Sequence, residues 1–553
     1  MAVGKMGYDD ISSAPGMDQL WVQILFWIIH LMGFYATASA AISTLGAEPL
    51  RKLRLFIARW GDLNLIYGLS DESIELGKEL LSRKGSSVVF VDRNPDASHN
   101  TAVAKLGCVL RSDTSAVNAD EKFLKSIGIH GGKRKINVYV LSKDTVDGFR
   151  FAHSFLNSMQ QCGVAPEQTS LVIHGNEDIK TSSLQVCGDC YGFGFVTVFQ
   201  NAGLAARVLI QKFPPCNHIS FDAEGRACEN FESVIIGFGR VGQAVLRNLV
   251  MNGQFEGSHF RSAVFAKDCD TASGYFMSNS EQLLQNYDIS FYPYDGRDRR
   301  LIEYLRQRGG NTKYIVVCTG SEQVNHEIAE DLTMFYERFG LTIPIYLCSY
   351  RGVKCYDADI QKCKLHRLYQ LSVLSSTTLD RMAMILNHYY QGANGTTPLG
   401  DWMKCDYFSR MSCRASADYL SAMLRAAGKT EEQVMNGEWS FSDVHLENLS
   451  KMEHRRWCAF HHVMGFSAMS AEEFDQRGQE YLRQKAECGK ATIRIAKNMA
   501  GRTHACLVEW DALDELSEKE QRYTGKYVNY KAMDTDNVVA IPKLLQARKD
   551  SNA

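Results

Sequence analysis

The order of apolar and polar residues divides the chain into three kinds of segment. From Gln19 to Ala47 there is no Asp, Glu, Lys or Arg. The centre of that run, LWVQILFWIIHLMGFYATASAAIST, is long enough for one membrane-crossing helix, which needs about 20 residues at 1.5 Å rise each. Beyond it, short β-branched runs alternate with amphipathic stretches. DLNLIYGLSDESIELGKELLSRKGSSVVFVDRNP (Asp62 to Pro95) and ESVIIGFGRVGQAVLRNLVMNGQFEGSHFRSAVFAKD (Glu232 to Asp268) each give an apolar strand, a Gly-containing turn, an amphipathic helix and a second strand. These are βαβ units.

Later segments repeat in the same order. NVYVLSKDTVDGFRFAHSF (Asn137 to Phe155) is answered by KYIVVCTGSEQVNHEIAEDL (Lys313 to Leu332), and SLVIHGNEDIKT by PIYLCSYRGVKC. The closing helices NAGLAARVLIQKF and TTLDRMAMILNHYY also correspond. Strands alternating with helices over about 170 residues, twice, predict an α/β protein with two tandem Rossmann-like, doubly wound parallel-sheet domains. The third pattern is helical: VHLENLSKMEHRRWCAFHHVMGF places Leu446, Leu449, Met452, Trp457, Phe460 and Met464 along one helix, with Asp443 as a start signal and Gly465 as a stop. Glu453 and Arg456, three apart, share a surface of it.

The resulting organisation is a tail (1–18), a transmembrane helix (19–46), a basic juxtamembrane linker (47–61), two α/β domains (62–225 and 226–392), a Gly/Thr/Pro linker (393–401), a mainly α-helical domain (402–546) and a tail (547–553). Asp9, Asp10 and Asp18 precede the apolar run, and Arg51, Lys52, Arg54 and Arg59 follow it. That asymmetry predicts a single-pass inner-membrane protein with its N-terminus outside and its domains in the cytoplasm. Asn394-Gly395-Thr396 is then a sequon on the wrong side for glycosylation.

Composition is that of an ordinary globular chain, 45% apolar and 22% charged over 553 residues. A net charge of −2 gives no general attraction for nucleic acid. The 16 cysteines lack regular spacing and read as reduced thiols. Cys187 and Cys190 form one CxxC without a second pair, so no metal site is predicted.

The two turns carry different chemistry. Gly237, Gly239 and Gly242 complete GxGxxG between a strand and a helix, with Arg240 inside the motif. Glycines permit a tight turn and close backbone approach, and the helix start offers free N–H groups to a phosphate. The strand that should supply a ribose-binding carboxylate ends at Lys267 or Asp268, depending on register; a lysine there suits an additional phosphate. In the first copy only Gly68 remains, Asp71 and Glu72 put negative charge where a pyrophosphate would lie, and Asp92 occupies the ribose position. NAD(H) or another nucleotide is therefore expected in the second copy, and a structural role or a different ligand in the first.

The paired units, on VIIGFGRVGQAVLRNL and the strand-helix rhythm from about Asp62 to Gly392, resemble RCK or TrkA-N domains, the sensing modules of potassium channels and transporters. The resemblance implies pairing into homo-oligomers and ligand control of a membrane partner. KMEHRRWCAFHHVMGF, with DYFSRMSCRASADYLSAML upstream and THACLVEWDALDELSEKEQR and YKAMDTDNVVAIPKLL downstream, resembles the RyR domain named for ryanodine receptor repeats, over about Trp402 to Leu545. There Tyr407, Arg414, Glu453, Arg456, Trp457 and Trp510 have the groups to stack a base and clamp a phosphate; the competing reading makes them core and internal ion pairs.

No GxSxG turn, HExxH helix or P-loop is present. The sequence is thus read as a non-enzymatic, membrane-anchored regulator or effector gated by a nucleotide-type signal, acting on ion flux or in antiphage defence. The alternatives are a TrkA-like regulatory subunit of a separate potassium channel or transporter, and an NAD(P)-dependent oxidoreductase.

Overall fold

The computed structural model describes residues 16, 18–45, 54, 56, 60–130, 134–175, 184, 192–356, 364–375, 378–392 and 396–550, with side chains of the first helix given at 20–33 and 35. Cys187, Cys190, Asn394, Gly395, Asp9, Asp10, Arg51, Lys52 and Arg59 lie outside the described residues. The chain divides into two units, Met1–Ile173 with Thr181–Val196, and His174–Lys180 with Thr197–Ala553.

A helix, α1 (Leu20–Leu45), opens the chain. Among the described residues no helix is long and apolar enough to cross a membrane, which overturns the expected single-pass inner-membrane anchor. α1 spans 26 residues and carries the polar side chains Gln23 and His30, which are costly in hydrocarbon.

The first sheet contains β1 (Asp62–Tyr67), β2 (Ser86–Val91), β3 (Val109–Arg111), β4 (Ile136–Val140), β5 (Thr169–His174) and β6 (Phe195–Phe199), in the order β3-β2-β1-β4-β5-β6. β1 pairs in parallel with β2 and β4, β2 with β3, and β4 with β5. Five consecutive residues of β1, Leu63 to Tyr67, are buried, because a parallel sheet is covered on both faces; the polar one, Asn64, donates to the Ser86 hydroxyl (2.6 Å). Helix α2 (Asp71–Leu81) follows β1.

The second sheet adds β7 (Phe231–Ile236), β8 (Phe260–Phe265), β9 (Asp288–Tyr292), β10 (Thr312–Val317), β11 (Ile345–Ser349), β12 (Gly352–Tyr356) and β13 (His366–Arg367). Its order is β13-β12-β11-β10-β7-β8-β9. The inner pairs are parallel, but β12 folds back antiparallel on β11. Val234, Ile236, Phe265, Ile315, Val317 and Leu347 form its core with the helices above them.

The elements that frame the candidate sites all belong to the second unit. They are α3 (Asn201–Lys212), α4 (Arg240–Asn252), α5 (Arg381–Tyr390), α6 (Tyr407–Asp418), α7 (Asp443–Val463), α8 (Tyr530–Val539) and α9 (Ile541–Asp550). α4 meets the C-terminal helices through Met251, Ala415 and Phe460, and Tyr419 donates its hydroxyl hydrogen to the carbonyl of Gln254. The architecture is therefore α/β, with parallel-sheet layers and a large helical complement.

Candidate functional site

The turns after β1 and β7 differ in what fills them. After β1, Ser70 caps α2 by accepting from the Ser73 N–H (3.2 Å), while the Ser73 hydroxyl accepts from the Ser70 N–H (2.8 Å). Asp92 accepts from the backbone N–H groups of Leu69 (2.7 Å) and Asn94 (2.8 Å). The donors that would greet a phosphate are thus engaged internally, and the carboxylate assigned to a ribose is turned onto its own chain. Gly68, at φ +95°, stays glycine for a local reason: an added Cβ would stand 2.7 Å from the Ser142 nitrogen.

After β7 the turn is bare. Gly237 (φ +100°) and Gly242 are required by close approach, since their Cβ atoms would lie 2.5 Å from the Cys318 oxygen and 2.2 Å from the Gly237 oxygen. Gly239 faces open space, with nothing within 4 Å of an added Cβ, and caps α4 without a side-chain hydrogen bond. Arg240 is exposed beside it. The register follows from equivalent hydrogen bonds: the Gly68 N–H donates to the Val91 carbonyl, and the Gly237 N–H donates to the Phe265 carbonyl. The residue matching Asp92 is therefore Ala266, 4% exposed, and not Lys267 or Asp268. Both of these follow it on the surface, where Lys267 is close enough to help hold the Asp295 carboxyl below its usual range, behind the larger effect of Arg297. The second turn has cations and open backbone but no carboxylate at the ribose position.

The C-terminal helices place the predicted pocket residues apart. Arg414 of α6 is bound by both its Nε (3.0 Å) and Nη2 (2.7 Å) to Asp380. Asp380 also takes Nη1 of Arg207 on α3 (2.6 Å), and Arg207 holds Asp418 with Nε (2.9 Å) and Nη2 (3.0 Å). All four side chains are buried. Burial works against the Asp380 carboxylate, but Arg414 and Arg207 outweigh it and keep it well below the ordinary carboxylate range. Arg207, Asp380 and Asp418 had no signal in the sequence, because their pairing joins residues 173 and 211 positions apart.

Arg456 is likewise engaged, through Nε (2.8 Å) and Nη2 (2.7 Å), by Glu453 one turn earlier on α7. Trp510 is core, among Phe474, Ile495 and Leu513. Trp457 is half-buried, its ring 3.8 Å from that of His461, and Tyr407 is half-buried at the start of α6. Of the six predicted residues, Arg414 lines a small cavity with Arg207, Phe199 and Leu374, and Glu453 lines another. The cavity at Glu453 is a narrow cleft among α5, the end of α6 and the residues following it, α7, α8 and α9, with a volume of about 30 Å³. Its polar wall is Glu453, Asn537 and Tyr390; Leu386, Tyr419 and Met423 are among its apolar lining. Asn537 donates to Glu453 (3.2 Å) and accepts from the Tyr390 hydroxyl (3.1 Å).

No protein-family model and no curated protein matches this chain. Among the described residues, no group of three or more His, Cys, Asp or Glu side chains is placed to hold a metal ion.

Proposed function

We propose that the chain is a ligand-responsive regulator that takes a planar, nucleotide-type molecule at the rim of the cleft between its C-terminal helices. The observation that carries this is the polar rim of the cleft, Asn537 and the half-exposed Tyr390, beside apolar Leu386 and Met423. The Asn537 amide both donates and accepts hydrogen bonds, which matches the edge of a base. Tyr390 offers aromatic surface to the flat face. With Arg414 and Arg456 committed to Asp380 and Glu453, the base rather than the phosphate is the recognised part of the ligand.

On this reading the sheets are RCK or TrkA-N domains and the C-terminal helices a RyR domain. The regulated partner on this reading is a separate channel or transporter subunit. Pairing of copies supplies the two states between which a ligand must discriminate.

The test is a titration of the full chain with ATP, GTP, NAD(H), NADP(H) and ADP-ribose, read by thermal shift and native mass spectrometry. At least one is expected to raise stability by about 2.7 kcal/mol at a hundredfold excess over its Kd. Tyr390→Ala and Asn537→Ala, both at the rim, are expected to remove that gain. Binding of none of them, or a gain unchanged in both folded variants, would overturn the proposal.

A further inference from the structure

His454 and Cys458 stand one turn apart on α7, and Asp534 of α8 faces the histidine. The His454 Nδ1 is 3.0 Å from Asp534 Oδ2. Its Nε2 is 2.8 Å from the Val508 carbonyl oxygen and 3.5 Å from Cys458 Sγ. Val508 presents only an acceptor, so Nε2 carries hydrogen, and the carboxylate takes the hydrogen of Nδ1. The ring is an imidazolium. Burial opposes that charge, but the bonds to Asp534 and Cys458 outweigh it and push the pKa up to about 11. His454 and Asp534 are buried, whereas Cys458 reaches solvent.

We propose that Cys458 is a nucleophilic thiol-modification site, with His454 and Asp534 as its positioning residues and small disulfides as its co-reactant. A thiolate is the reactive form of cysteine, and a neighbouring imidazolium favours it. The remaining titratable neighbours on the packed elements are Tyr287, Cys506, Arg455, Glu509 and His504. Burial pushes Tyr287 and Cys506 up and so keeps them neutral, and it pushes His504 down to about 3, also neutral. Arg455 is paired with Glu256 (3.0 Å). The closest fixed positive charge at the sulfur is therefore that of His454.

In the reaction the thiol proton passes to solvent, and a sulfur lone pair of Cys458 attacks one sulfur of the disulfide. A new S–S bond forms as the old one breaks, and the departing thiolate keeps the bonding pair and takes a proton from water. The disulfide is the oxidant, reduced as Cys458 is oxidised. None of these three residues lines the cleft, whose Glu453 and Asn537 sit on the same two helices.

Cys228 and Cys488, both exposed, serve as internal references. The full chain is treated with oxidised glutathione at about pH 7, and mixed disulfides are located by peptide mapping. Cys458 is expected to react about tenfold faster than either reference despite its lower exposure. His454→Gln is expected to bring Cys458 down to the reference rate, with Asp534→Asn in between. A wild-type Cys458 no faster than the references overturns the proposal whether or not the variants fold. So does a fast Cys458 that is unaffected in folded His454→Gln.

Discussion

A methyl group added at Gly242 would lie 2.2 Å from the Gly237 carbonyl oxygen, whereas one added at Gly239 would meet nothing within 4 Å. Gly242→Ala is expected to cost about 1–3 kcal/mol, the usual range for overpacking, while Gly239→Ala stays within about 1 kcal/mol, the scale of a changed cap. Urea midpoints of the two variants check this. Acid response is set by single residues as well. Burial lowers the imidazole pKa values of His461 to about 2, His504 to about 3, and His462 and His218 to about 4. Unfolded, these groups take up protons near pH 6.5. Their contribution is therefore complete above that pH and is lost as pH falls toward their folded values. His454 has the opposite sign: its stabilisation is full below about pH 6.5 and fades as pH rises through its folded value of about 11. Denaturant midpoints are expected to peak near neutrality, with the acid limb the steeper because four groups outweigh one. His462→Gln, which also relinquishes the 3.0 Å contact with the Tyr287 hydroxyl, is expected to flatten that limb.

At the scale of the element, α7 shows both the reach and the limit of pattern. Its start near Asp443, its end before Gly465 and its buried Leu449, Met452 and Phe460 were legible from apolar spacing. Its buried Glu453, His454, Arg456 and His461 were not, because polarity marks a residue as surface unless its partner is known. The Glu453–Arg456 pair was visible at three-residue spacing, yet burial of the pair follows from helices that the spacing does not reveal. Arg456→Ala is expected to destabilise by about 3–5 kcal/mol by leaving a buried carboxylate unpaired, and Arg456→Met combined with Glu453→Met by much less. Chemical denaturation of both proteins decides it. Strands were read well for a related reason: a two-sided parallel sheet writes itself as a mostly apolar run, as in β1 and β10. The residue matching Asp92 could not be read, because two positions of slack after β8 hide Ala266 behind Lys267 and Asp268.

At the scale of the whole molecule, the tandem sheets were evident from the repeat, whereas the apolar N-terminal run led to an expected membrane span that no helix among the described residues supports. What organises the second unit is instead the buried set of Arg207, Asp380, Arg414 and Asp418. Two carboxylates and two guanidinium groups neutralise one another there, and each is stranded if its partners are missing. The order of synthesis gives that set a history. Arg207 leaves the ribosome 173 residues before Asp380 and 211 before Asp418. At about 5–20 residues per second, it waits roughly ten to forty seconds for its second carboxylate. The set therefore closes only after translation has passed residue 418, and a stall before that point leaves Arg207 without Asp418.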